Sequence, residues 1–378
     1  MRNWLCIILC LLLFAFCSPK KEKVDRLIED GVEVVINHLE PYQIDNISSF
    51  SLEEIFKLDT EEDEIANLGI ADILGFEVNS VGEIFILRTI KGEGDFIFKF
   101  DRSGKFVKSF GPQGQGPGEF QNPHHIALDS EDNVVILDYG RPIIIKYDKD
   151  GVFINQYNMK GGDARITSGP RANLLVLGSS FDSEKGKTIY SFSLKLLNPD
   201  LEVLQVIDKF SYEMKPGKFR ATEPLFCFSA SRDYIYVANE GRGYEIWVYD
   251  YNGKLIRKIQ KEYRKIPVSE DYKNKILNLF PENMRDMAYF PEFHPPFQSI
   301  VAGDDGKLLV SAFEEGKNPG EFMFDIFNEE GVFIGRKSLN IFIWEGHLWA
   351  QIRTNKLYCL KEKDNGYKEL VVYNMIWE

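Results

Sequence analysis

Seven polar residues of this chain are of the types that hold ligands. Arg88, Arg141, Arg165 and Arg242 carry guanidiniums, whose planar N–H forks match carboxylate, phosphate and sulfate oxygens. His125, Asp138 and Asn239 add an imidazole, a carboxylate and an amide. They are spread from residue 88 to residue 242, and no local motif unites them. The five histidines are His38, His124, His125, His294 and His347, and a zinc site would need several of them on one surface. A G-x-S-x-G nucleophile elbow is missing. "GQGPGEF" (Gly114–Phe120) is rich in glycine, but neither the lysine nor the helix of a phosphate-cradling loop follows it. Whether a site exists depends on a fold that gathers these residues.

The elements that could gather them repeat. "FDRSGKFVKSF" (Phe100–Phe110), "YDKDGVFINQY" (Tyr147–Tyr157), "YDYNGKLIRKI" (Tyr249–Ile259) and "FNEEGVFIGRK" (Phe327–Lys337) share one pattern. An apolar strand ends in Asp or Asn, a turn with Gly follows, and then an alternating strand, which is hairpin chemistry. "LNPDLEVLQVI" (Leu197–Ile207) and "KDNGYKELVVY" (Lys363–Tyr373) are weaker copies. Upstream of five copies lies a second hairpin, beginning at Gly75, His125, Arg165, Phe226 and Ser299. The unit is therefore four strands in about 45–50 residues, the signature of a β-propeller blade. Five units and a degenerate sixth (Ile341–Asn374) predict an all-β, six-bladed propeller of four-stranded antiparallel blades.

Closing such a ring removes an unpaired strand edge, and "FSLEEIFKLDT" (Phe50–Thr60) is placed to complete the last sheet. The chain then divides into a signal segment (1–17), a linker and arm (18–49) and the propeller (50–378). Val32–Tyr42 is expected to pack as one strand outside the ring. An insertion at 262–296, between blades four and five, carries a short helix capped at Ser269.

The alignment also places the seven residues. Strand one of each blade lines the central channel, and its entry lies on the same face as the exit from strand two. His125 and Arg165 begin strand one of their blades. Arg88, Asp138 and Asn239 follow strand two of theirs. Arg141, Glu240 and Arg242 lie on the same loops. This channel mouth is the expected ligand-binding face.

The stretch "GQGPGEFQNPHHIALDSEDNVVILDYGRPIIIKYDKDGVF" resembles an NHL-type propeller repeat. The body from about Phe50 to Trp377 resembles exported six-bladed propellers common in bacteria such as the Bacteroidetes, many of them lipoproteins. The resemblance implies fold and export. It implies function weakly, because propellers host lactonases, lyases, sugar binders and scaffolds. A zinc lyase on such a ring would need one histidine from each of several blades, and the aligned positions offer His125 alone. A lactonase-type site would need an acidic residue, two Asn/Asp and a metal. Asp138 and Asn239 fit in type, but no Glu begins blade one.

Composition agrees with a folded body, 44% hydrophobic and 27% charged. A net charge of −13 argues against a nucleic-acid partner. Met1-Arg2-Asn3 and the apolar run Leu5–Phe16, too short to span a bilayer, form an export signal. Cys17 ends that run and is the candidate lipidation site, which would anchor the chain in the bacterial envelope, at the periplasm or outer membrane. Cys227 and Cys359 sit in apolar runs and read as buried thiols. The expectation is a monomeric, non-catalytic binding or scaffolding module. It would take a small polar or anionic ligand, a glycan or a protein partner at the channel mouth. No cofactor is required, and a divalent metal is the one left open. The alternative is a metal-dependent lyase or lactonase-type hydrolase on the same face.

Overall fold

The computed structural model describes residues 24–42, 49–89, 94–159, 162–171, 173–184, 187–344 and 347–378. The signal segment and Cys17 lie outside them. Blade one comprises Ile73–Val78, Ile84–Arg88, Asp95–Phe100 and Phe106–Pro112. Blade two comprises Pro123–Leu128, Val134–Asp138, Ile143–Tyr147 and Phe153–Asn158. Blade three comprises Asp163–Ser168, Leu174–Glu184, Lys187–Leu197 and Val203–Glu213. Blade four comprises Phe226–Ala230, Tyr234–Asn239, Glu245–Asp250 and Leu255–Lys261. Blade five comprises Ser299–Ala302, Leu308–Glu315, Phe322–Phe327 and Phe333–Leu339. Blade six joins Ala350–Arg353, Lys356–Glu362 and Lys368–Trp377 to Phe50–Asp59, so both ends of the ring meet in one antiparallel sheet. The protein is a six-bladed β-propeller.

The core sits between blades. Strand two of blade two shows why it must. Val134 and Ile136 pack in the cluster shared with blade one, and Val135 and Leu137 in the cluster shared with blade three. Both faces of the strand are buried, which makes its sequence a continuous apolar run rather than an alternating one. Polar staples accompany the apolar clusters. Lys99 pairs with Glu83 at 2.8 Å and donates to the Lys149 carbonyl in the next blade. Lys146, at the equivalent place in blade two, pairs with Asp129 at 2.7 Å and reaches the Pro199 carbonyl of blade three.

The repeated Asp/Asn before each turn has a specific task. Asp148 Oδ1 accepts from the backbone N–H groups of Asp150 (2.9 Å) and Val152 (2.8 Å), and Gly151 takes a left-handed φ of 76°. Blade three makes the same turn with Asn198, but Leu201 stands in the left-handed position at φ 62°. The geometry survives there without the glycine that marks the motif, at a backbone cost of order 1 kcal/mol.

The arm is a hairpin, not one strand. Val24–Glu29 pairs with Val32–Asn37, which runs parallel to the outer strand of blade four and extends that sheet to six strands. Val34 and Val35 are fully buried. In the insertion, Ser269 caps the helix Glu270–Leu277 by accepting from the Tyr272 N–H at 3.2 Å. Ala288–Tyr289 then pairs in parallel with Phe219–Arg220, within the connection that enters blade four. The insertion thus lies over the mouth side of the ring.

Candidate functional site

A channel of about 90 Å³ runs down the axis. In blades one, two and three, strand one carries a bulge near its mouth end, between Ile73 and Gly75, Pro123 and His125, and Asp163 and Arg165. A bulge adds an unpaired residue and re-aims its side chain. In blade two that residue is His124. Instead of alternating away from the mouth, its ring stacks on Tyr139 at 4.5 Å and 22°. His125 lines the channel and meets Tyr139 edge-on at 6.1 Å. Tyr139 is 40% exposed. Burial pushes its hydroxyl up to about 12, opposed by the charge of Arg165. Burial also lowers His124, opposed by Asp138, so the imidazole is neutral at neutral pH. Arg165 lies 4.4 Å over the Phe228 ring and donates to the Phe226 carbonyl at 3.3 Å. His124, His125, Tyr139 and Arg165 thus form one cluster at the mouth.

The other expected residues go elsewhere. Arg88 is fully buried, lies 4.8 Å over Phe96 and donates to the carbonyls of Asp95, Thr89 and Gly94. Asp138 is fully buried and accepts the N–H groups of Gln121, Asn122 and Gly140 at 2.8–2.9 Å. Arg141 donates to the carbonyls of Gln115 and Glu119, tying down the "GQGPGEF" loop between blades one and two. Arg242 pairs with Asp208 and lies 3.9 Å over Trp247. Glu240 pairs with Arg220, and Asn239 is buried at the end of its strand. These are loop and blade anchors, because a strand end buried at the rim leaves backbone groups that need partners.

His38 and His294 lie apart from the His124–His125 pair. His294 is held between Tyr272 (4.7 Å) and Phe313 (4.4 Å), and His38 between Asp25 and Glu262 on the arm. Among the described residues no three His, Cys, Asp or Glu side chains are grouped to hold a metal ion. Cys227 and Cys359 are buried thiols outside any disulfide, each pushed up to about 12 by burial.

Deeper in the channel lies a group that the aligned strand ends do not reveal. Glu77 is 4% exposed and lines the channel. Its Oε2 accepts from Gln351 Nε2 at 2.8 Å and Ser168 Oγ at 3.3 Å. The same side chains stitch the blades together. Gln351 Oε1 accepts from the Val78 N–H, Ser168 Oγ from Leu128 and Ser229 Oγ from Ala302. Each satisfies an edge N–H of an adjoining blade's innermost strand. Burial pushes the Glu77 carboxyl up to about 7, against the charge of Arg353 and the bonds from Gln351 and Ser168. The sequence signal was a lone acid two residues past Gly75, inside an apolar strand.

A second cavity, about 250 Å³, opens between blades five and six at the end opposite the mouth. Lys307 lies 4.8 Å over Trp377 there, and Asp304 pairs with Arg353 at 2.6 Å.

Residues 26–205 match a family model described as 6-bladed beta-propeller. Among solved structures, the chain is similar to a Bacteroides fragilis protein assigned as an exported protein. That likeness is 14% identical, covers 91% of this chain and 99% of the other, and has a TM-score of 0.55. It is also similar to a member of the DUF4221 family from Bacteroides vulgatus, 12% identical, covering 88% and 99%, with a TM-score of 0.52. At these identities the likeness is one of fold. No curated protein matches the chain.

Proposed function

We propose that this protein is an exported binding module whose channel mouth takes a small anionic ligand, with an acidic sugar as the best fit. The observation that carries the reading is the half-exposed Tyr139, backed by a stacked His124 and set beside Arg165. An aromatic face packs against the C–H face of a sugar ring. A guanidinium next to it suits a carboxylate or sulfate. His124 and His125 add hydrogen-bonding groups, and the carboxylate whose charge acts on His124, Asp138, is occupied by the backbone N–H groups of Gln121, Asn122 and Gly140. The reading needs no catalytic set, and among the described residues Asp138, Asn239 and the other arginines are each drawn to separate anchors.

Export is supported by the apolar run ending at Cys17 and by the assignment of the Bacteroides fragilis relative. Cys17 is proposed as the lipid-bearing residue that holds the module at the envelope surface, which a mass measurement of the mature N-terminus tests directly.

The ligand reading is tested by calorimetry against a panel of neutral and acidic oligosaccharides. Tyr139→Ala and Arg165→Ala should each weaken the best binder about tenfold or more, with Arg165→Ala acting only on acidic sugars. Chelation should change nothing. Unchanged affinity in both variants, or chelator-sensitive turnover of a sugar, would overturn the reading.

A further inference from the structure

Glu77 is not explained by the mouth cluster. Its position in blade one's innermost strand puts a carboxylate on the channel wall, away from bulk water. One oxygen, Oε2, is fixed by Gln351 and Ser168. Among the described residues Oε1 has no hydrogen-bond partner. Nor does any lysine or arginine among them form an ion pair with the carboxylate; Arg353, whose charge acts on it, pairs instead with Asp304 at 2.6 Å. A buried carboxylate without a counter-charge is costly unless something positive or protonated sits beside it.

The rest of the wall says what that something is. Two aromatic rings, Phe76 and Trp349, line the same channel, together with the hydroxyls of Thr167 and Ser299, while the Phe228 ring already carries the Arg165 guanidinium at 4.4 Å. Aromatic faces attract cations, and hydroxyls supply lone pairs to N–H donors. The volume of about 90 Å³ holds a small polyatomic ion and little more. We infer that the channel interior is a binding site for a small organic ammonium group, which donates to Glu77 Oε1 against the aromatic wall.

This site lies deeper in the same channel than the mouth cluster, and His125 borders both. The charged and titratable groups that face it are Arg353 from blade six, His125 from blade two and Arg165 from blade three, whose guanidinium lies over the Phe228 ring. The two guanidiniums oppose a cation, so the carboxylate of Glu77 carries the attraction. Its ionisation near neutrality sets the pH dependence. Above about pH 7 the carboxylate is charged and binds; below it the proton competes with the ligand.

The test titrates methylammonium chloride into the purified full-length chain at about pH 8.5, with potassium chloride at equal ionic strength as the second arm. Methylammonium should raise the melting temperature in a dose-dependent way, and potassium should not. Repeating the titration at about pH 6 should weaken the apparent affinity roughly tenfold, since about nine-tenths of the carboxyls are then protonated. Glu77→Gln should abolish the effect. Should that variant fail to fold, Glu77→Asp, which keeps the charge but withdraws it, should weaken binding instead. An equal response to potassium, binding retained in Glu77→Gln, a pH-independent affinity, or no response to methylammonium would each overturn the inference.

Discussion

Burial raises the Glu77 carboxyl from the usual 4.5 to about 7, and the direction of its effect on stability follows. The native state holds this proton more tightly than the unfolded chain does. The stabilising contribution is full below about pH 4.5 and is lost as pH rises through about 7. The gap between the two values corresponds to about 3 kcal/mol. Glu77→Gln keeps the shape and carries no charge at any pH. Without added amine, the variant should match the wild type near pH 4 and exceed its stability by up to about 3 kcal/mol near pH 8. Denaturant unfolding at the two pH values measures this, and a pH-independent difference would remove Glu77 as its source. At this scale the sequence showed residue types but not their destinations. Asp138 looks like a ligand-binding carboxylate, yet it binds three backbone N–H groups that the turn after blade two's second strand leaves open. Strict alternation along strand one would turn His124 to the side opposite His125, and a one-residue bulge keeps both at the mouth. Bulges are not written in the hydrophobic pattern, so the mouth cluster could not be read from it.

The arm shows the same limit in an element. Val32–Asn37 is visible as an apolar strand because Val34 and Val35 are buried against the ring. Val24–Glu29 is not, because it is the solvated edge and its residues are mostly exposed. The signal that was available is Asp30-Gly31, a two-residue turn with φ of 49° and 80°, the type that closes hairpins. What the arm does is hold blades four and five together. Asn37 is 1% exposed; its Nδ2 donates to the carbonyls of Gln260 and Gly331 at 3.0 Å, and its Oδ1 accepts the Phe333 N–H at 2.8 Å. Gln260 belongs to blade four, and Gly331 and Phe333 to blade five. Asn37→Ala removes these three bonds, two of which, to the Gly331 carbonyl and from the Phe333 N–H, are buried. It should cost about 2–4 kcal/mol, given 1–3 kcal/mol for each stranded group and partial relief by water. A loss under about 0.5 kcal/mol in denaturant unfolding would mean that the arm is an ornament on the ring rather than a clamp.

For the whole molecule, the repeat period and turn chemistry mark five outer hairpins, each with its Asp or Asn, whereas the sixth copy at Lys363–Tyr373 is a turn between strands two and three of blade six, whose outer pair is the closure itself. That closure makes the strongest claim about the ring. Phe50–Asp59 pairs with Lys368–Trp377 from Phe50↔Trp377 to Asp59↔Glu369. Phe50 is 1% exposed and packs edge-on against Trp377 at 5.0 Å, while Lys363 pairs with Asp59 and Glu61 beyond the far end. Without this strand, Lys368–Trp377 becomes an open edge bearing the buried Val371 and Val372, a template for pairing with another chain. A chain truncated by removing this strand alone, with residues 50–59 replaced by a glycine–serine linker of equal length and the arm kept, should therefore self-associate on size exclusion and lose cooperative unfolding. Because the missing piece is a single antiparallel strand, a synthetic peptide of residues 49–60 supplied in trans should restore the monomer, as strand addition does at other open edges. The same peptide with Phe50→Asp and Leu58→Asp, two buried positions of the strand, should fail. If the truncated chain stays monomeric and unfolds as sharply as the full chain, the ring is held by its inter-blade clusters alone, and the meeting of the two chain regions in blade six is a consequence of the fold rather than a cause of it.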